Sequence, residues 1–263
     1  MQGLDGTGER PSGPIASAMG RAAGWLADIV VPPVCLACRT ALACHHAVCG
    51  PCWRQIRFIR PPLCDRLGLP MPFGTGEGMI SAAAVANPPA YGRARAVAAY
   101  DGVMRDLIHG FKYADRHDAR RLFGAWLVSA AAPLLPGITV IVPVPLAWTR
   151  LVRRQFNQAA ILAQETSRLT GIPYAPDILK RIRATRSQVG LTRLERGHNV
   201  SGSFAVAPRR RARLQGAGVL LIDDVVTTGA TVNACARVLL AAGAQRVDVL
   251  SLGLVVEPRA ITL

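Results

Sequence analysis

The sequence predicts an α/β fold, a parallel sheet flanked by helices, preceded by a small cysteine-bearing head. Three observations predict it. Residues 219–222 form the apolar run Val-Leu-Leu-Ile, long enough for a strand buried on both faces. From Tyr91 onward such runs alternate with stretches of helical period, the pattern of a sheet whose crossovers cover it. Ahead of Tyr91, six of the seven cysteines crowd between Cys35 and Cys64.

Residues 1–15 are rich in Gly, Pro and polar side chains and are expected to be disordered. Residues 16–88 hold a short helix stopped by Pro32-Pro33, then the cysteine region, then a Pro/Gly-rich stretch over 61–89 that reads as a linker. The helix has Ile15, Met19, Ala22, Ala23, Leu26, Ile29 and Val30 at its apolar positions. Residues 89–263 make the α/β domain. Within it, 96–100 reads as a strand and 103–113 and 119–132 as helices. Residues 139–144 form an apolar strand running into Pro143 and Pro145, and 157–170 a helix capped by Asn157. A short helix is expected over 191–196, a strand over 219–222, a helix over 230–242 ended by Gly243, and a last strand over 246–254. Ligands of such sheets bind at the carboxyl ends of the strands.

The chain of 263 residues is half apolar, enough for a substantial core, and carries a formal charge of +15. The charge is uneven. Residues 140–218 carry fourteen Arg/Lys against three acids, whereas residues 219–263 carry three against four. A field of this kind attracts polyanions such as a pyrophosphoryl sugar or a nucleic-acid backbone. No segment approaches the ~20 consecutive apolar residues of a membrane span. Residues 22–34 are apolar but interrupted by Asp28, without a convincing cleavage site, so the expected compartment is the cytoplasm, where thiols stay reduced.

The strand at 219–222 runs into Asp223, Asp224 and Val225, followed by Thr227, Thr228, Gly229, Ala230 and Thr231 at the start of a helix. A helix N-terminus with hydroxyls and a glycine around it is an anion cradle. Gly229 lets the backbone approach a ligand, and the threonine hydroxyls add donors. The paired carboxylates suit the vicinal hydroxyls of a sugar, or a magnesium ion carried with a polyphosphate. A phosphate cradle beside acceptors for ribose describes 5-phosphoribosyl 1-pyrophosphate (PRPP). In the head, Cys35-Leu-Ala-Cys38 and Cys49-Gly-Pro-Cys52 are two C-x2-C pairs ten residues apart, a spacing that closes a tetrahedral zinc site. Cys44, His45 or His46 would be able to replace one of the four. Cys64 and Cys235 read as buried apolar cysteines.

Residues 219–231 resemble the PRPP-binding motif of type I phosphoribosyltransferases. The chain as a whole, from about residue 31 to 256, resembles the ComF family, phosphoribosyltransferase-like proteins linked to competence and DNA uptake. The resemblance is also carried by Pro88-Pro89 with Tyr91, Arg93, Arg95 and Tyr100, by Phe111-Lys112-Tyr113, by Val142-Pro143-Val144-Pro145, by Arg154-Gln155-Phe156-Asn157-Gln158-Ala159, and by Gln188, Leu191, Arg196 and Asn199. Gln155 stands where the family has Gly. Many relatives hold a second set of paired cysteines, at positions that here read Cys64, Leu67, Ser81 and Ala84, so a second zinc is not expected.

The resemblance implies a type I phosphoribosyltransferase domain behind a zinc-ribbon-like head, with structural zinc and with magnesium accompanying PRPP. Asp223 and Asp224 would serve the ribose hydroxyls and catalysis, and residues 227–231 the 5-phosphate. Val144 and Pro145 would lie near pyrophosphate, Arg150 or Arg154 would neutralise it, and Lys112 and Asn157 would also bind PRPP. Arg183, Arg186, Gln188, Arg196 and Asn199 would form a lid. The acceptor is unreadable, because no acid occupies position 227 and only Tyr174 and Phe204 offer to stack a base. Three functions follow: a PRPP-binding protein of DNA uptake or processing with weak affinity for single-stranded DNA and contacts to the uptake machinery, a metabolic phosphoribosyltransferase acting on a small nucleophile, or a non-catalytic PRPP sensor. Arg181, Arg183, Arg186, Arg193 and Arg196, with Arg209, Arg210, Arg211 and Arg213, would meet the DNA backbone.

Overall fold

The computed structural model describes residues 32–72, 78–113, 119–146, 156–183 and 202–256. The expected helices over 15–30 and 191–196 lie outside them. In chain order come α1 (Gly50–Gln55), α2 (Ala82–Ala86), β1 (Ala94–Ala99), α3 (Gly102–Tyr113), α4 (Ala119–Ala131), β2 (Val140–Pro143) and α5 (Gln158–Thr170). Then come β3 (Leu179–Arg181), β4 (Phe204–Val206), a 3₁₀ helix (Pro208–Leu214), β5 (Gly218–Val226), α6 (Ala230–Ala241) and β6 (Arg246–Leu254). Among the described residues no helix is long and apolar enough to cross a membrane.

Four strands form one parallel sheet in the order β1-β6-β5-β2. The apolar runs alternate between its faces, as period two requires. Leu220 and Ile222 of β5, with Leu250 and Leu252 of β6, face a core built with Phe111, Phe123, Leu127 and Leu162 of α3, α4 and α5. Val219, Leu221, Val247 and Val249 face the other core, with Val232, Cys235 and Leu239 of α6 and Phe204 and Val206 of β4. Sequence periodicity did not disclose β3 and β4. They are three residues each and pair antiparallel as a small separate sheet over α6.

Both edges of the parallel sheet are covered. Outside β1, Phe58 bridges Ala98 antiparallel, Ile59 N–H donates to the Val97 carbonyl (3.0 Å), and Ala99 N–H to that of Arg57 (2.9 Å). Outside β2, Ile141 N–H donates to the Pro173 carbonyl (2.8 Å) and the Ile141 carbonyl accepts from Ala175 N–H (2.9 Å).

The head is an internal duplication, which the reading of 61–89 as a linker missed. Val34 bridges Ala41, and Leu63 bridges Pro70. Cys35 N–H donates to Thr40 O and Cys64 N–H to Leu69 O, both at 2.8 Å. Arg39 and Gly68 share a φ of 68°, at the same point of the two turns. Cys49 N–H donates to the Cys35 sulfur and Ser81 N–H to the Cys64 sulfur, both at 3.2 Å. Cys49 and Ser81 then cap α1 and α2. The second half therefore repeats the first, with Cys64, Leu67, Ser81 and Ala84 in the four cysteine positions. Cys64 and Ala84 are buried there.

Candidate phosphate and ribose site at the carboxyl end of the sheet

β5 continues through the acidic pair to Val226, four residues beyond the apolar run. Parallel pairing with β6 carries it that far, for Val225 and Val226 lie opposite Gly253 and Leu254. Asp223 and Asp224 are thus held in a strand and not in a turn, and their side chains leave on opposite faces. Asp223 lies toward Cys235 of α6, whose thiol is pushed up by burial and by the Asp223 charge. Asp224 lies toward α3, where its Oδ2 meets Lys112 Nζ at 2.8 Å. Burial and the Asp224 charge push the Asp223 carboxyl well above the usual carboxylate range, offset in part by the Asp224 N–H and the Lys112 ammonium.

Beyond β5, Thr227, Thr228 and Gly229 turn into α6. Gly229 is its N-cap in the left-handed region (φ 76°) and, lacking a side chain, makes no cap hydrogen bond of its own. The Thr228 hydroxyl is buried without a hydrogen-bond partner among the described residues. A twelve-residue helix whose N-cap is glycine, with an orphaned hydroxyl beside its first N–H groups, has the donors an anion would satisfy. Ala230 and Thr231 open the helix itself.

Three predicted segments converge on the same sheet end. Asn157 caps α5, accepting from Ala159 N–H (3.1 Å), and donates through Nδ2 to the Val144 carbonyl (3.1 Å). This fixes the Val144–Pro145 loop after β2. Buried Gln158 donates to the Lys112 carbonyl (3.3 Å), fixing the end of α3. Lys112 also lies over the Tyr100 ring (5.9 Å). Arg183 is exposed at the end of a described segment. Arg150, Arg154, Arg186, Gln188, Arg196 and Asn199 lie outside the described residues. One expectation is corrected. Phe204 does not offer a face to a base, because it is buried in the core with Arg181 over its ring (5.2 Å). Tyr174 sits at the outer edge of β2 beside Ile141. Tyr91 was not singled out as a site residue. Its hydroxyl lies 3.6 Å from where a Cβ of Gly229 would stand.

In the head, the sulfurs of Cys35, Cys38, Cys49 and Cys52 lie within 4.8 Å of one another, with Cys38 and Cys49 at 3.6 Å. Tetrahedral zinc with Zn–S of about 2.3 Å needs S–S separations of about 3.8 Å, so the donor set fits a closed structural zinc site. Cys38 is lowered to about 6 by the hydroxyl and N–H of Thr40, while burial and the neighbouring sulfurs raise Cys52 to about 12. Sulfurs this close do not all ionise without a cation between them. Cys44, His45 and His46 stand outside the four-sulfur group.

Comparison with known proteins agrees with this architecture. Residues 26–84 match the double zinc ribbon domain, and residues 156–255 the phosphoribosyl transferase domain. The DNA utilization protein YhgH of Salmonella typhi is 33% identical over 227 residues, covering 84% of this chain and 96% of that protein. Competence protein F of Haemophilus influenzae is 30% identical over 227 residues, covering 82% and 94%. Competence protein ComFC of Bacillus subtilis is 30% identical over 150 residues, covering 57% and 58%.

Proposed function

We propose, from the premise that this chain belongs to the ComF family of competence-linked, phosphoribosyltransferase-like proteins, that it binds PRPP with magnesium at the carboxyl end of β5 and acts in DNA uptake or processing. The observation that carries the ligand is the conjunction of a glycine-capped α6 N-terminus, the orphaned Thr228 hydroxyl and the adjoining acidic pair. In this reading the first turn of α6 and Thr227–Thr228 take the 5-phosphate. Asp223 and Asp224 accept from the ribose hydroxyls and supply oxygen ligands for magnesium. Lys112 and the Val144–Pro145 loop face pyrophosphate.

In phosphoribosyl transfer, pyrophosphate leaves the anomeric carbon and an acceptor nucleophile takes its place. Charge grows on the leaving group and on an oxocarbenium-like ribose, so positioned charge is the main catalytic resource. In this reading the Lys112–Asp224 pair and the neighbouring Asp223 supply that charge. Whether turnover follows is read directly from PRPP consumption with and without candidate bases and single-stranded DNA. No consumption with any acceptor, alongside tight PRPP binding, selects the sensor.

Binding itself is tested by calorimetry on the Asp223→Ala, Asp224→Ala double variant. Charge-assisted hydrogen bonds contribute about 1.5–3 kcal/mol each, so PRPP affinity should fall below detection. A folded double variant that binds PRPP as the parent does would place the ligand elsewhere.

The nucleic-acid part of the reading is supported by the 3₁₀ helix. Arg209, Arg211 and Arg213 are exposed there and make no ion pair among the described residues, whereas Arg210 is tied to Asp177. Three guanidiniums on one short helix suit a phosphate backbone.

A further inference from the structure

We infer that the half of the head with a single cysteine braces the phosphate loop, and that Arg66 and Tyr91 are positioning residues for the 5-phosphate. The inference rests on the PRPP reading of that loop. In the first half of the head, four sulfurs close on a common centre. In the second, Cys64, Leu67, Ser81 and Ala84 offer one sulfur, and Asp65 and Arg66 between them bond to the phosphoribosyltransferase-like domain instead.

Asp65 forms an ion pair with Arg95 of β1, and its carbonyl also accepts from Arg95 (3.1 Å). Gly68 lies so close to β1 that a Cβ there would stand 2.7 Å from the Ala94 carbonyl oxygen. This docking delivers Arg66. Its Nη2 donates to the carbonyls of Pro89 (2.6 Å) and Tyr91 (2.9 Å), clamping residues 89–91 as a strap.

The strap is held from its other side by the helix that begins at the phosphate loop. Ala90 N–H donates to the Asn233 side chain of α6 (2.6 Å). The buried Tyr91 ring then brings its hydroxyl against Gly229, the left-handed residue at the mouth of α6. Gly229 takes its φ of 76° without strain but is equally free to leave it, so the loop is ordered only as far as its neighbours order it. Tyr91 supplies that support, and Arg66 holds Tyr91. Loosening either leaves the N–H groups of the loop to be ordered by the ligand, which lowers affinity for the phosphate they serve. Pyrophosphate would lie across the site, against the loop after β2, and would not feel the change.

The test uses the full chain loaded with zinc and two probes, ribose 5-phosphate and magnesium pyrophosphate, titrated by calorimetry. Tyr91→Phe, which removes the hydroxyl facing Gly229, and Arg66→Gln, which removes the clamp on residues 89–91, should each weaken ribose 5-phosphate about tenfold and leave magnesium pyrophosphate unchanged. Arg66→Lys, which keeps a cationic donor, should recover part of the loss. Ribose 5-phosphate bound equally by parent and both variants overturns the brace. So does an equal loss of both probes that tracks a lowered unfolding midpoint, since Arg66 and Tyr91 would then hold only the fold. A parent protein that binds neither probe refutes the PRPP site itself, a result distinct from the other two.

Discussion

Replacing Lys112 by Met removes one ammonium and little volume, and its effect follows from the pair it forms. Lys112 Nζ and Asp224 Oδ2 are 2.8 Å apart, with side chains 13% and 16% exposed. At an effective dielectric of about 20, that separation corresponds to an attraction of about 6 kcal/mol before desolvation. Taking one partner from a buried pair costs about 3–5 kcal/mol, because the other charge stays behind. The residual exposure and the second carboxylate, which can take a proton, place this case near about 3 kcal/mol. In a domain of this size that lowers the Tm by about 6–12 °C. The sign with pH is fixed by Asp223. Its folded pKa is raised, so the folded state holds a proton that the unfolded state has released. That contribution to stability is present at low pH and lost as pH rises through the folded pKa. Without Lys112 the pKa rises further, so the gap between variant and parent should widen as pH rises from the usual carboxylate range toward the alkaline side and narrow when magnesium is added. Urea unfolding across that range measures it. A variant as stable as the parent at the alkaline end without magnesium, or a gap independent of pH, refutes the reasoning. The chain's own composition agrees with a demand for a compact cation here. Only Lys112 and Lys180 are lysines among 31 basic residues.

Metal analysis of protein purified without chelator should give one zinc per chain, held by Cys35, Cys38, Cys49 and Cys52, and two or none would contradict the assignment. Cys49→Ser should unfold the head, since metal binding of this kind supplies on the order of 10 kcal/mol of folding energy. Gly229→Ala should cost about 1–2 kcal/mol through its positive φ, and Gly229→Asn less, as urea midpoints will show. Alanine tolerated as well as asparagine would mean the loop is not held left-handed. Replacing Arg209, Arg211 and Arg213 by Ser should weaken single-stranded DNA binding, reduce its log–log salt slope by about 2, and spare PRPP. Undetectable DNA binding by the parent at low salt, or equal loss of both ligands, removes the nucleic-acid reading.

Much of the sheet was legible because its strands are buried on both faces and so read as unbroken apolar runs, as at Val219–Ile222 and Val140–Val142. The turn from β5 into α6 was legible because Gly229 and the hydroxyls around it mark a helix start locally. What escaped depends on distant partners. β5 runs past Ile222 because β6 continues beside it, a fact no window around Asp223 contains. Leu179–Arg181 is too short for any period to show. The second half of the head was legible only through the family resemblance, because one cysteine of four is shared and the spacing between the paired positions differs. The expectation that a Pro/Gly-rich stretch links two units failed there, because the turns of the second half need the same residues a linker uses. Tyr91 matters through its contact with Gly229, which its neighbours in sequence do not reveal.

The strip at Phe58 bears on how the chain survives its own synthesis. Translation makes the head before β1, so when Ala98 emerges its partner on one flank already exists. Its other partner, Gly253 of β6, arrives only after most of the remaining chain has been made. An unpaired strand exposed for that interval is a template for wrong pairing with nascent neighbours. The head would thus cover one edge of the nascent sheet from its first appearance, provided its four-cysteine site is filled early. Zinc starvation would then be felt at the ribosome, as misassembly of new chains, before it was felt by molecules already folded.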